Sequence, residues 1–273
     1  MTSAKWPPSA TGNATRPGSC GRRAESNLLG GSPVPLDIEQ LERDVVAAVA
    51  PPEVLEIEGW LAPLDNGSIG RAKSAVPLRH DLGPAAIEAI VEAYRSRGLK
   101  PAFRLAEVPG LDAVRAEVAR HGLTGQQPTI MKLGNTAGLA ALSDAPARVL
   151  DRPDQAWGAV FLGAGFDAAD GAHRIAALTR SPGALYGAAG LDGATQAVGV
   201  ASVGAAWGGI HGMRTAPAHR GQGHAAAILG ALGRALAARG VTRVFLQVEE
   251  ANPARRIYRR AGFTPAWTYR YWR

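Results

Sequence analysis

The apolar positions Leu229, Leu232 and Leu236 fall three and four residues apart in an alanine-rich run, so residues 225–239 present one apolar stripe when wound as a helix. Gly240 follows where such a helix stops, because glycine takes a left-handed turn without a Cβ penalty. Residues 241–248 then alternate and are rich in β-branched side chains, which predicts a strand. The same pattern occurs earlier in the chain. At an offset of 142 residues, Ile87 falls on Leu229, Ile90 on Leu232, Tyr94 on Leu236, Arg97-Gly98 on Arg239-Gly240 and Phe103 on Phe245. With a small shift, Gly122-Leu123-Thr124 falls on Gly262-Phe263-Thr264, and upstream residues 69–77 fall on 210–217. Such a repeat predicts two copies of one supersecondary unit. Each half reads strand, helix, strand, helix, strand, the alternation of an α/β fold.

Around this repeat, residues 1–35 are rich in Ser, Pro, Gly, Thr and Asn without periodicity and are predicted to be a disordered extension. Apolar spacing over 36–49 suits a helix stopped by Pro51-Pro52. Gly134-Asn135-Thr136-Ala137-Gly138 has linker composition and sets the expected division into a first domain over 36–138 and a second over 139–273. The second is expected to open with a strand at 148–150 and a helix after Pro153, with strands at 184–191 and 196–203. A glycine-rich strand over 207–215 then leads into a loop.

Composition narrows the class. A chain of 273 residues with 46% hydrophobic and 19% charged residues is globular, and no apolar run approaches the roughly 20 residues that span a bilayer. The start of the sequence lacks the apolar segment of a secretory signal, so the cytoplasm is the expected compartment and no membrane partner is expected. The single cysteine, Cys20, excludes an intramolecular disulfide, and its place in the extension argues against a nucleophile. Charge is uneven. Eleven basic and two acidic residues give 214–273 a net +9, whereas 36–213 carries −5. Arg255, Arg256, Arg259 and Arg260 on one short helix raise nucleic acid as a ligand, but no nucleic-acid module or interleaved aromatic platform accompanies them, so nucleic acid is not expected.

The basic segment contains the chain's most informative stretch, Met213 through Ala225. It reads as a strand, a turn and a glycine-paired loop running into a helix N-terminus, where free N–H groups and the helix dipole favour a phosphate. Arg220-Gly221-Gln222-Gly223-His224-Ala225 is similar to the Gln/Arg-x-x-Gly-x-Gly/Ala loop of the GNAT superfamily of acyl-CoA-dependent N-acetyltransferases. Downstream, Tyr258 with Gly262-Phe263 is similar to that family's Tyr-x-x-x-Gly-Phe. Residues 145–273 thus resemble the superfamily, and the repeat resembles its tandem arrangement. The resemblance implies an α/β (α+β) architecture of two tandem GNAT-like folds, with mixed central sheets flanked by helices and a splayed strand pair in the C-terminal half. In the first half Leu78-Arg79-His80-Asp81 replaces the glycine loop and Val118 replaces Tyr258, so that half reads as a degenerate partner that shapes the acceptor pocket.

The resemblance also implies roles. Met213 and Thr215 would bind pantetheine through main-chain groups while Arg214 points away, with Gly208, Gly209 and Gly212 suited to a bulge. The backbone of Gly221, Gln222, Gly223, His224 and Ala225, with Arg220 nearby, would hold the diphosphate of acetyl-CoA, the expected co-substrate; no metal is expected. Tyr258 would return a proton to sulfur. Asn252 is the candidate pantetheine contact, although it stands six rather than seven residues before the tyrosine and Ala251 occupies the family's position. His211, on the same face as Met213 by alternation, is a candidate general base beside Glu249 and Glu250. The implied reaction is direct attack of a primary amine, small-molecule or peptide, on acetyl-CoA in a ternary complex. Transfer of a longer acyl group and a non-catalytic acyl-CoA sensor or scaffold are the rival readings.

Overall fold

The computed structural model describes residues 36–191 and 193–273; the extension expected over 1–35, Cys20 included, lies outside the described residues. The first half runs α1 (Ile38–Ala47), β1 (Glu53–Ile57), β2 (Trp60–Leu64), β3 (Val76–Pro77), α2 (Ile87–Arg95), β4 (Phe103–Ala106), α3 (Asp112–Arg120), β5 (Gly125–Asn135) and α4 (Thr136–Ala140). The second runs β6 (Arg148–Leu150), α5 (Gln155–Leu162), α6 (Ala168–Leu178), β7 (Leu185–Ala189), β8 (Ala197–Val203), β9 (Gly208–Thr215), α7 (His224–Ala238), β10 (Arg243–Glu249), α8 (Arg255–Arg260) and β11 (Thr264–Trp272). No helix of the described residues is long and apolar enough to cross a membrane.

The sequence repeat is a repeat of backbone geometry. α2 ends at Gly98 (φ +67°) and α7 at Gly240 (φ +77°), and the bond from Leu99 N–H to the Tyr94 carbonyl recurs as Val241 N–H to the Leu236 carbonyl. α3 and α8 end on Gly122 (φ +80°) and Gly262 (φ +82°). These left-handed turns close the helix ends on glycine in both halves. Strand polarity repeats as well. A parallel bridge joins Ala75 to Phe103 in the first half, and β9 runs parallel to β10 in the second.

The last strand of each half is exchanged with the other. The large sheet has the order β4-β11-β5-β10-β9-β8-β7-β6, so β5 lies between β10 and β11, and β11 lies between β5 and β4. All three of these contacts are antiparallel. The expected division at 138/139 falls inside α4, immediately after the exchanged strand. The segment 134–138 is not a linker, which corrects the compositional expectation. Asn135 Oδ1 caps α4 by accepting from the Gly138 N–H at 2.7 Å. Its glycines serve close packing instead of flexibility: a Cβ on Gly138 would meet the Ala261 carbonyl at 2.5 Å, and one on Gly134 the Phe263 ring at 3.0 Å. A second correction concerns 69–77, which holds a 3-10 turn at Gly70–Lys73 and the two-residue β3 in place of a full strand. α6 has no counterpart in the expected elements.

Alternation along the strands builds two layers. Val244 and Leu246 of β10 pack with Leu229, Leu232 and Leu236 of α7. Phe245 between them packs with Leu41 and Val45 of α1. α1 also fastens the halves through buried charge. Glu42 accepts two bonds from Arg104 of β4, at 2.6 and 3.1 Å, with both side chains nearly inaccessible. Two residues on, the Asp44 carboxylate accepts from the backbone N–H groups of Ala205, Ala206 and Trp207, each at 2.9 Å, and so fixes the β8–β9 turn.

Candidate active site

The site grows from the divergence of β9 and β10. Their pairing covers Gly208 to Ile210 against Val244 to Leu246 and stops there, although both strands run on. On its other edge β9 carries a bulge. Val198 pairs with Arg214 and Val200 with His211, which leaves Gly212 and Met213 opposite Gly199. Gly212 takes φ +61°, a conformation that favours glycine. The bulge interrupts simple alternation between His211 and Met213, the physical reason that the period-two argument does not carry through this point. Both residues nonetheless line one cavity.

Beyond β9 the chain turns through Pro217–His219 into the glycine loop. Gly221 (φ +78°) and Gly223 (φ +86°) are left-handed, and a Cβ on either would meet nothing within 4 Å. Their glycines answer to backbone conformation, and the space above them is open. Gly223 is the N-cap of α7, a 15-residue helix whose first turn has no side-chain cap. The orphan N–H groups there carry the positive end of the helix dipole. The loop, Met213, Thr215, Ala251, Asn252 and Tyr258 line a cleft of about 1070 Å³ whose rim also carries Arg256 and Arg260. Arg214 turns toward α5, with its guanidinium 4.0 Å from the Phe166 ring and a 3.3 Å bond to the Phe161 carbonyl. Asn252 uses its Oδ1 to accept from the Ala254 N–H at 2.9 Å, ahead of α8. At the matching place in the first half, Arg79 pairs with Asp81 at 2.9 Å, and Gly110 lies so close that a Cβ on it would strike the His80 carbonyl at 2.2 Å.

A second cavity of about 490 Å³ meets the first at Met213, Glu249, Asn252 and Tyr258. It is walled by Arg71 from the first half, by His211 and Gln247, and by Tyr269 and Tyr271 of β11. Sequence reasoning missed Arg71, Gln247 and both tyrosines. The alternation of Tyr269 and Tyr271 was an available signal for one lined face, whereas nothing local marks Arg71. Tyr269 donates to Gln247 Oε1 at 3.0 Å, while Gln247 Nε2 and both ring nitrogens of His211 are buried without a protein partner. Tyr258, 8% exposed, stands where the two cavities join, and burial pushes its phenol up to about 12. Burial, and then the nearby Arg71 guanidinium, hold His211 well below the ordinary imidazole range.

That depression has a stability consequence. His80, packed against Trp267, is also held low by burial. The unfolded chain takes up protons on these two groups near pH 6.5, where the folded protein does not. Stability is therefore full above about pH 6.5 and falls as pH drops below it, until the folded groups themselves titrate. Thermal midpoints measured from pH 7.5 to 5.5 should decline, and His211→Gln should flatten the decline; a flat profile in the parent protein would contradict the burial of neutral imidazoles.

A family model described as "Probable histone acetyltransferase Rv0428c C-terminal" matches residues 36–272. No curated protein matches in sequence. Among solved structures, a GCN5-related N-acetyltransferase from Kribbella flavida is 18% identical with a TM-score of 0.64, covering 86% of this chain and 94% of that one. A functionally unknown conserved protein from Staphylococcus epidermidis is 11% identical, TM-score 0.60, covering 82% and 94%. A tandem GNAT protein from the clavulanic acid biosynthesis pathway is 15% identical, TM-score 0.56, covering 86% and 94%. At these identities the likeness is one of fold.

Proposed function

The chain belongs to the family described as probable histone acetyltransferase Rv0428c C-terminal, within the GNAT superfamily, and from that membership we propose that it moves the acetyl group of acetyl-CoA to a primary amine by direct attack in a ternary complex. One observation carries the reading: a basic cleft at an uncapped helix start and a separate polar cavity share Met213, Glu249, Asn252 and Tyr258 at their junction. That arrangement suits two substrates held at once.

The open space over Gly221 and Gly223 fits a diphosphate, with the N–H groups from Gly221 to Ala225 as donors and Arg220 beside them. β9 beyond Ile210, including Met213 and Thr215, offers main-chain groups that β10 does not use. Acetyl-CoA, when bound, supplies a thioester carbonyl to a neutral amine. Tyr258 keeps its proton throughout the working pH range, since its phenol lies at about 12. That value is well above the ordinary thiol value of about 8.5, so full transfer to a thiolate runs uphill and the residue acts chiefly as a hydrogen-bond donor to developing charge on sulfur. His211 stays neutral, so one of its two unpartnered ring nitrogens carries a proton and the other can accept one. It takes a proton only as the attacking nitrogen bonds to carbon and becomes acidic. Glu249 is exposed and accepts from Gln127 Nε2 at 2.7 Å.

Thiol release from acetyl-CoA across an amine panel tests the reading. Tyr258→Phe should lower kcat about 100-fold, the low end for removing a donor aimed at developing charge, with little change in KM for acetyl-CoA. An unchanged kcat would remove the phenol from the mechanism. Tight acetyl-CoA binding without release on any amine would favour a sensor.

A further inference from the structure

We propose that the amine acceptor carries a carboxylate, and that Arg71 of the first half binds it in the cavity beside His211. The proposal rests on the acetyl-transfer reading of this site and names its substrate class.

Two cations of the cavity lack a carboxylate partner among the described residues, Arg71 and Arg273; Arg273 donates to the Gln127 amide oxygen at 3.1 Å, whereas Arg71 has no side-chain hydrogen bond. Arg174, on the same wall, is paired with Asp170 at 2.7 Å. Among the described residues no carboxylate lies within 4.0 Å of the Arg71 guanidinium, and the neighbours that perturb it are Tyr271, Tyr269, Arg104 and Arg174. Burial disfavours its charge. A half-buried cation without a counter-ion is costly unless an anion completes the site, and the planar guanidinium fork matches a carboxylate. Neutral groups stand ready around it. The amide Nε2 of Gln247 is buried with no acceptor, the ring nitrogens of His211 are unpartnered, and the Tyr269 hydroxyl lies on the same wall.

The single carboxylate on the lining, Glu249, sits at the other end, where this cavity meets the cleft of the glycine loop. Charge is thus laid out for a zwitterion, with the amine toward Tyr258 and Glu249 and the anion toward Arg71. A volume of about 490 Å³ suits a small molecule. A polycationic peptide would instead face Arg71, Arg174 and Arg273.

The test is a matched series: the common amino acids, their amides, and the corresponding amines lacking the carboxyl group. With acetyl-CoA, kcat/KM should be about 10- to 100-fold higher for the best free acid than for its amide. Arg71→Gln should erase that preference mainly through KM, and Arg71→Lys should restore part of it, with thermal midpoints showing that each variant folds. Calorimetric binding of the same compounds to the CoA-saturated protein reads the site without turnover. Equal rates for acid and amide, unmoved by Arg71→Gln, overturn the proposal and leave acetyl transfer standing. Acid-selective binding that depends on Arg71 but gives no turnover keeps the anion site and rejects acetyl transfer. Binding of none of the series together with no acid preference in turnover overturns the proposal.

Discussion

Cut in the loop after α4, the protein should yield two fragments, 36–145 and 146–273, neither of which alone shows a cooperative thermal transition and which together recover one. Both neighbours of β5, namely β10 and β11, lie in the second fragment, while both neighbours of β11, namely β5 and β4, lie in the first. Each fragment keeps its glycine-capped helices but loses the long ladders at the centre of the sheet, seven paired positions between β10 and β5 among them. The apolar side chains on those strands, such as Met131 and Tyr269, would then face water. α4 would leave with the first fragment and uncover α7, where a Cβ on Gly233 would lie 2.5 Å from Leu139. Circular dichroism melts on the separate and mixed fragments decide this. A sharp transition in 146–273 alone, with acetyl-CoA binding, would show that the exchange is dispensable.

Glu42→Ala should destabilise the protein by about 3–5 kcal/mol, because it strands the Arg104 guanidinium in the core. For a domain of this size each kcal/mol moves the thermal midpoint by roughly 2–4 °C, so a fall of about 10 °C is expected. The pair has few substitutes nearby. Arg104 has its Nε unpartnered already, and the Tyr269 ring 5.4 Å away offers it no carboxylate. Replacing both charges, as Glu42→Leu with Arg104→Met, should cost far less than Glu42→Ala, since the expense lies in an unpaired buried ion more than in losing the bridge. Additive losses in the double variant would contradict that account.

Much of the second half was legible because its signals are local. β6 matches 148–150, and α7 and α8 end at the glycines the pattern marks. The loop from Arg220 to Ala225 and the later Tyr258, 33 residues beyond Ala225, line one cleft. What stayed hidden was pairing between distant strands. Gly134 to Gly138 reads as a linker by composition, and only the Phe263 ring and the Ala261 carbonyl pressed against it explain why glycine stands there. Periodicity places β5 and β11 as strands without saying that they trade partners. Arg71 escaped for the same reason: its meaning depends on Tyr269, Tyr271 and His211, which join it only through the exchanged sheet.

The exchanged strands also bear on how the chain is made. During synthesis from the N-terminus, β5 emerges complete while β10 and β11, more than a hundred residues later, do not yet exist. Its two edges, and the edge of β4 that awaits β11, stay unpaired until β10 and β11 have been made. Unpaired edges on a nascent chain invite pairing with the wrong partner. Yield in a cell should therefore follow how well those edges are shielded during translation, and slowing synthesis after residue 140 should lower the soluble fraction more than slowing it near the end.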